Sequence, residues 1–277
     1  MNGRAFDHVV LAVRNLDRAA GTYERLGFTL TPRAAHNDRM GTSNHLAQFQ
    51  GRNFIELLEV DRPDTLAPHD FAASPPFFSF GDHNLRALQG REGLSMLVFA
   101  GEDARADIRN FAAAGLPTFQ PFDFERPAVL PDGSVATVAF SLAFVHRTEA
   151  PRVAYFVCEN RAQNLFWKPQ YQSHANGARG IVAVYLASND PERDAAVVGK
   201  MFGGRIQENP GGFRVACGQR QELRVLGPRM IEKLDPSFMT EASDSPVLAG
   251  IAVATSQSRE VTPSRLAHGM FIEWIAA

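Results

Sequence analysis

Three residues of this 277-residue chain join a ligating or proton-transferring side chain to a place in an extended run. His8 heads Val9-Val10-Leu11-Ala12-Val13, Glu56 interrupts Phe54-Ile55-Glu56-Leu57-Leu58, and His45 lies in Asn44-His45-Leu46-Ala47. Side chains alternate along a strand, so Phe54, Glu56, Leu58 and Val60 share one face. A carboxylate among such neighbours is costly unless it is paired or metal-bound. Imidazole and carboxylate donors suit Zn, Ni, Mn or Fe. A divalent ion held by two or more of them, with positions left open, would polarise a substrate carbonyl or enediolate. A structural role stands beside each reading. His8 would be a hydrogen-bonded strand histidine, Glu56 the partner of an arginine or of His8, and His45 a polar anchor.

Other chemistries lack their residues. There is no glycine-rich phosphate loop, serine elbow or Cys/His zinc spacing, so no nucleotide cofactor is expected. Net charge is −2 and no basic run is long enough for a nucleic-acid footprint. No apolar run approaches the roughly 20 residues that span a bilayer. The first residues carry no apolar signal core. Cys158 and Cys217 make no disulfide framework and read as reduced thiols, so a cytoplasmic location is expected.

The elements that must position these residues repeat along the chain. A β-branched run, a helix with an Asn or Asp at its start and a Gly at its end, and further extended segments occur three times. The openings are His8–Val13, Ser95–Ala100 and Ile181–Ala187. Asn15 or Asp17, Asp103, and Asn189 or Asp190 are the helix N-caps, with Pro191 in the first turn of the third helix. Gly27, Gly115 and Gly203 are the helix stops. The module reads βαβββ, with FTLTP, TFQPF and RIQEN as the strands that follow the helices. Pro131-Asp132-Gly133 is a turn. A shortened fourth module is expected from Val247–Thr255 and Met270–Ala276, where Phe271-Ile272-Glu273-Trp274 echoes Phe54-Ile55-Glu56-Leu57. The fold class is α+β, with tandem modules pairing into cupped mixed sheets. Residues 1–160 form a first domain, 161–179 a linker, and 180–277 a second, smaller domain. The proline- and phenylalanine-rich stretch from Arg62 to Gly93 reads as an ordered crossover with a short helix near its end.

Paired modules of this kind, with Phe6-Asp7-His8-Val9-Val10-Leu11-Ala12-Val13 and Ile55-Glu56-Leu57, resemble the vicinal oxygen chelate superfamily. The stretches His36…Gly41-Thr42-Ser43-Asn44-His45-Leu46 and Trp167-Lys168-Pro169-Gln170-Tyr171-Gln172-Ser173-His174 are similar to its glyoxalase-like group. The resemblance implies a cup for a metal or small ligand, with His8 and Glu56 as metal ligands and His45 as a further ligand or acid–base group. Two expected ligands are missing from the second module. Ser95 stands at its histidine position and Phe156 or a neighbour at its carboxylate position, with Glu159 close by. Phe156, Glu159 and Trp167 are then the expected substrate contacts, Trp167 closing one mouth of the cup.

Three functions follow as expectations. One is a metal-dependent lyase, isomerase or dioxygenase acting on a small oxygenated metabolite. Another is a metal-free small-molecule binder of the resistance type. The third is a structural protein whose cup is filled by phenylalanines. A small-molecule ligand, no nucleic acid and no membrane are the expected partners, and exposed module edges point to a homodimer.

Overall fold

The computed structural model describes residues 3–129, 135–238, 245–257 and 260–277. The first module runs β1 (Phe6–Ala12), α1 (Leu16–Arg25), β2 (Ala34–Ala35), β3 (Ser43–Gln48) and β4 (Phe54–Glu59). After the crossover helix α2 (Phe80–Gly90) come β5 (Gly93–Gly101), α3 (Ala104–Ala113), β6 (Phe122–Val129), β7 (Val135–His146) and β8 (Ala154–Asn160). The short helix α4 (Gln163–Phe166) leads to β9 (Ala178–Ala187), α5 (Pro191–Phe202), β10 (Ile206–Asn209), β11 (Gly212–Cys217) and β12 (Gln221–Leu226). The chain ends with α6 (Pro228–Leu234), β13 (Val247–Thr255) and β14 (Phe271–Ala276).

Helix starts and stops follow the residues that the repeat supplies. The side chains of Asn15, Asp103 and Asp190 accept from the backbone N–H groups of Arg18, Ala106 and Arg193, satisfying donors that a helix start leaves open. Gly27 and Gly115, just past α1 and α3, have φ of 91° and 66°, a region that glycine enters without a Cβ penalty. The strand expected at FTLTP forms later and shorter, as β2, and TFQPF gives way to β6. Pro131-Asp132-Gly133 lies outside the described residues.

Eight strands form one sheet in the order β2-β3-β4-β1-β5-β8-β7-β6, and six form another in the order β10-β11-β12-β9-β13-β14. Within each full module the first and last strands are parallel neighbours: β1 with β4, β5 with β8, and β9 with β12. The shortened fourth module keeps that feature, as β13 pairs with β14 in parallel. The molecule is therefore α+β, with four module units in two curled mixed sheets.

Alternation divides the apolar side chains into three groups. One core runs through both halves, joining α1, α3 and α5 to the helix-facing sides of both sheets. A second fills much of the first cup, from Val10, Leu58, Met96 and Val98 to a ring of phenylalanines. A third lies in the second cup, around Tyr185, Ile231, Phe238 and Phe271. The halves also meet through Asn53, which is 1% exposed. Its Nδ2 donates to the Ile181 carbonyl (3.0 Å) and its Oδ1 accepts from the Ile181 N–H (2.9 Å), so it replaces a missing strand partner. Replacing Asn53 with Ala strands the Ile181 N–H and leaves its carbonyl only the longer bond from Gln221 Nε2 (3.4 Å), and is expected to lower the unfolding free energy by about 1–3 kcal/mol. Urea unfolding measures this; a loss near zero would mean that water takes over both bonds.

Candidate functional site

β1 and β4 lie side by side with His8 opposite Phe54 and Val10 opposite Glu56. That register puts His8 and Glu56 on the cupped face, one step apart on neighbouring strands. His8 is 5% exposed and Glu56 4%. His8 Nε2 is 3.5 Å from Glu56 Oε2, and His8 Nδ1 is 2.5 Å from Asp7 Oδ1. A carboxylate can only accept, so Nδ1 carries the proton, and Nε2 is the ring's working atom. The imidazole stacks on Phe54 at 4.3 Å and meets the edge of Phe156 at 5.6 Å.

Asn44, opposite Leu58 on the adjoining strand β3, donates from Nδ2 to Glu56 Oε1 at 2.6 Å. Its own Oδ1 is buried without a hydrogen-bond partner. A buried acceptor left open costs free energy that a ligand O–H or N–H would recover. His36 lies behind this pair. Its Nδ1 is bonded to Thr42 Oγ1 (2.8 Å), and its Nε2 is 3.2 Å from Asn44 Nδ2 and 3.7 Å from Glu56 Oε1. Asn160 completes the polar floor. Its Oδ1 accepts from the Ala162 N–H, which leaves its amide N–H groups for the cavity.

Above this floor the walls are apolar: Phe54, Phe80, Phe124, Phe140, Phe156 and Phe166 line a narrow cavity of about 520 Å³, its open mouth included. Cys158 is also a wall residue. Burial, with the carboxylates of Asp7, Glu56 and Glu159 adding to it, raises its thiol pKa well above the ordinary range, so it stays protonated and is no nucleophile. The phenylalanines fill much of the cup and leave a narrow space above the polar floor.

Three expected site residues are elsewhere. His45 is opposite Leu57, on the reverse face of β3, where its Nδ1 meets the Thr31 carbonyl at 2.7 Å. The two-residue period of a strand sends Asn44 and Leu46, not His45, towards Glu56. Glu159 fails for the same reason. Phe156, Cys158 and Asn160 face the cavity, whereas Glu159 accepts from the Ala104 N–H and pairs with Arg161. Trp167 stands behind Phe54, at 5.9 Å, with Arg52 over its ring; the turn of α4 delivers its neighbour Phe166 instead. Phe156 lines the cavity as expected. The functional groups that the residue pattern left out are Asp7, His36, Asn44 and Asn160. For Asn44 the signal was strand parity, two residues before Leu46, the residue opposite Glu56.

The register also identifies the second module's counterparts of His8 and Glu56. His8 lies seven residues before the N-cap Asn15, and Met96 lies seven before the N-cap Asp103. Two residues further on, Val98 pairs with Phe156 as Val10 pairs with Glu56. Met96, not Ser95, thus takes the histidine place, because Ser95 falls in the irregularity where β5 shifts register against β1. Phe156 takes the carboxylate place. Zn, Ni, Mn or Fe would therefore find two donors where a catalytic centre ordinarily offers three protein ligands. His36 Nε2 lies 3.7 Å from the other oxygen of Glu56. Among the described residues no group of three His, Cys, Asp or Glu side chains could hold a metal ion. The donor set does not fit a resident divalent ion.

Two further polar groups are structural. His69, His83 and His146 pack around Phe78. Burial lowers the pKa of all three, to about 4 for His69 and about 3 for His83, so they are neutral packing partners. In the second cup, Glu273 pairs with Ala252 one step past Phe271, as Glu56 does past Phe54. The corresponding place on β12 is held by Arg224, opposite Tyr185. Arg224 binds Glu273 at 2.9 Å and Glu222 at 2.5 Å, and the Tyr185 hydroxyl bridges Arg224 and Glu273. The second cup has an ion pair where the first has a histidine and a carboxylate.

Among the described residues no helix is long and apolar enough to cross a membrane. The family model for the glyoxalase-like domain matches residues 6–201. A search of curated proteins found no match. A hypothetical protein from Staphylococcus aureus is similar in structure over 98% of this chain and 99% of its own, with a TM-score of 0.71 and 15% identity. The Mn(II)-bound glyoxalase from Novosphingobium aromaticivorans is 11% identical, with 91% of this chain and 66% of that one covered and a TM-score of 0.49. Methylmalonyl-CoA epimerase from Mycobacterium tuberculosis is 20% identical, with 56% and 86% covered and a TM-score of 0.37. The first of these likenesses extends over both halves of the chain and shows the fold.

Proposed function

The chain belongs to the glyoxalase-like domain family of the vicinal oxygen chelate superfamily, and from that premise we propose that its first cup moves a proton on a small, flat, largely apolar carbonyl compound without a resident metal. The observation that carries this reading is the row Asp7–His8–Glu56, in which Asp7 is hydrogen-bonded to His8 Nδ1 and Glu56 Oε2 stands 3.5 Å from Nε2, at the floor of a phenylalanine-walled cavity. Asp7 holds the His8 ring in one tautomer and stabilises the imidazolium that forms when Nε2 takes a proton. Glu56, steadied by Asn44, is the partner that receives or returns it. The amide N–H groups of Asn160 can donate to the substrate carbonyl oxygen, and the open Asn44 Oδ1 can accept from an O–H or N–H elsewhere on the substrate. The phenylalanines exclude water and hold the apolar body. The reaction class is proton abstraction beside a carbonyl with return at the same or a neighbouring atom, an isomerisation or epimerisation.

A second reading, metal-free binding alone, is favoured by the six phenylalanine walls, which suit any aromatic compound whether or not it reacts. Acetophenone separates the two. Its methyl protons should exchange with solvent deuterium faster in the presence of the protein than in buffer, as followed by proton NMR. Saturable binding with no exchange above buffer would favour the second reading. The two cysteines are buried and unpaired, which fits the cytoplasmic location we assign to this activity.

A further inference from the structure

A second site is carried by a groove on the seam between the halves, which shares no lining residue with the phenylalanine cavity. Its void is about 1650 Å³, open mouth included, and it lies between α1 and the segment 264–269. Five arginines line it: Arg14, Arg18, Arg25, Arg91 and Arg265. Among the described residues Glu92 is the lone lining carboxylate. This concentration of positive charge occurs in a chain whose net charge is −2.

The five do different things. Arg14 is spent on the Leu88 carbonyl and Arg91 on the Gly269 carbonyl, and both sit near Glu92. Arg18, Arg25 and Arg265 are exposed, and among the described residues none of them has a carboxylate partner. Arg18, Thr22 and Arg25 are spaced four and three residues apart, so they share one face of α1. Arg265 comes from the other half. The wall that carries it is fixed in an unusual way. His268 has φ of 55°, a conformation that non-glycine residues rarely adopt. Its Nδ1 is 2.8 Å from Glu92 Oε2 and its Nε2 3.2 Å from Thr22 Oγ1, so the first half clamps the second at this point. The same hydrogen bond from His268 is the largest influence holding the Glu92 carboxyl below its usual pKa. The groove is thus a braced wall facing guanidinium groups that have no carboxylate partner among the described residues, Arg25 donating only to Thr22 Oγ1, with the apolar Leu26 and Leu266 beside them. Leu266 is 49% exposed.

We propose that this groove binds a small organic phosphate or diphosphate, with Arg18, Arg25 and Arg265 gripping the phosphoryl oxygens and Leu26 and Leu266 meeting the apolar part. Guanidinium forks match phosphate oxygens in pairs, and the charge is concentrated within one groove instead of running along the surface. Because the grip takes residues from both halves, the ligand ties them together.

Inorganic pyrophosphate is the probe, titrated calorimetrically into the full chain at low salt. Saturable binding is expected, weakened at least tenfold in the double variant Arg18→Ala/Arg265→Ala and unchanged in Arg220→Ala, an exposed arginine outside the groove. Arg25→Glu should abolish it. These positions are exposed, so the variants keep the fold, which circular dichroism checks. No binding, or binding that the double variant leaves unchanged, overturns the proposal. Tighter binding of a hexaglutamate peptide than of pyrophosphate also overturns it, since that outcome describes a protein-docking surface.

Discussion

Replacing His8 with alanine is expected to reduce protein-dependent deuterium exchange of a carbonyl probe by about 100- to 10,000-fold, the range that a positioned general base contributes. The variant removes an imidazole that is bonded to a carboxylate through one nitrogen and lines the cavity beside Glu56 with the other. Probe binding should change far less, because the six phenylalanines that supply the contact area remain. That split is the diagnostic. A merely structural His8 would weaken binding and exchange together, since its ring stacks on Phe54 and its loss would loosen the wall. His8→Gln, which fills the space without a titrating ring, should bind the probe like the unsubstituted protein and exchange as slowly as His8→Ala.

The second large effect is on stability. Phe202, on α5, is 5% exposed and stacks on Phe99 of β5, with ring centroids 3.8 Å apart. Phe111 and Tyr155 close the group at 6.0 Å each. A helix of the third module is thereby embedded in the core of the second. Phe202→Ala should lower the unfolding free energy by about 3–5 kcal/mol, the usual cost of a deleted buried aromatic and the cavity it leaves. Urea unfolding followed by near-ultraviolet circular dichroism measures it. The loss should appear in the signal of both halves, because one continuous core contains residues from both. A loss below about 1 kcal/mol, or one confined to the second half, would mean that the halves fold as separate bodies.

Much of the fold was legible because its signals are local. Asn15, Asp103 and Asp190 cap helices through side-chain bonds made within three residues, and a short chain segment contains all the information needed. Even the fourth module could be read, since the echo of Phe54-Ile55-Glu56 in Phe271-Ile272-Glu273 reflects the same parallel pairing. The candidate site was half legible. His8 and Glu56 stand out as polar residues on apolar strand faces. His45 misled because the choice between it and Asn44 depends on which face of β3 is turned inward, a matter settled by pairing with β4. Glu159 misled in the same way on β8. Ser95 was displaced by a register shift against β1, which no local pattern announces. Asp7 and Asn44 matter through the bonds they make to other side chains, so their roles become visible only when the strands are side by side.

We propose that the Asp7–His8–Glu56 row works without a resident metal, in a cup where Met96 and Phe156 occupy the second module's places for His8 and Glu56. The most direct test is deuterium exchange of acetophenone by protein dialysed exhaustively against a strong chelator. The exchange rate is expected to be unchanged by chelation and not raised by adding Mn(II), Zn(II), Ni(II) or Fe(II). Exchange that vanishes on chelation and returns with one of these ions would contradict the proposal.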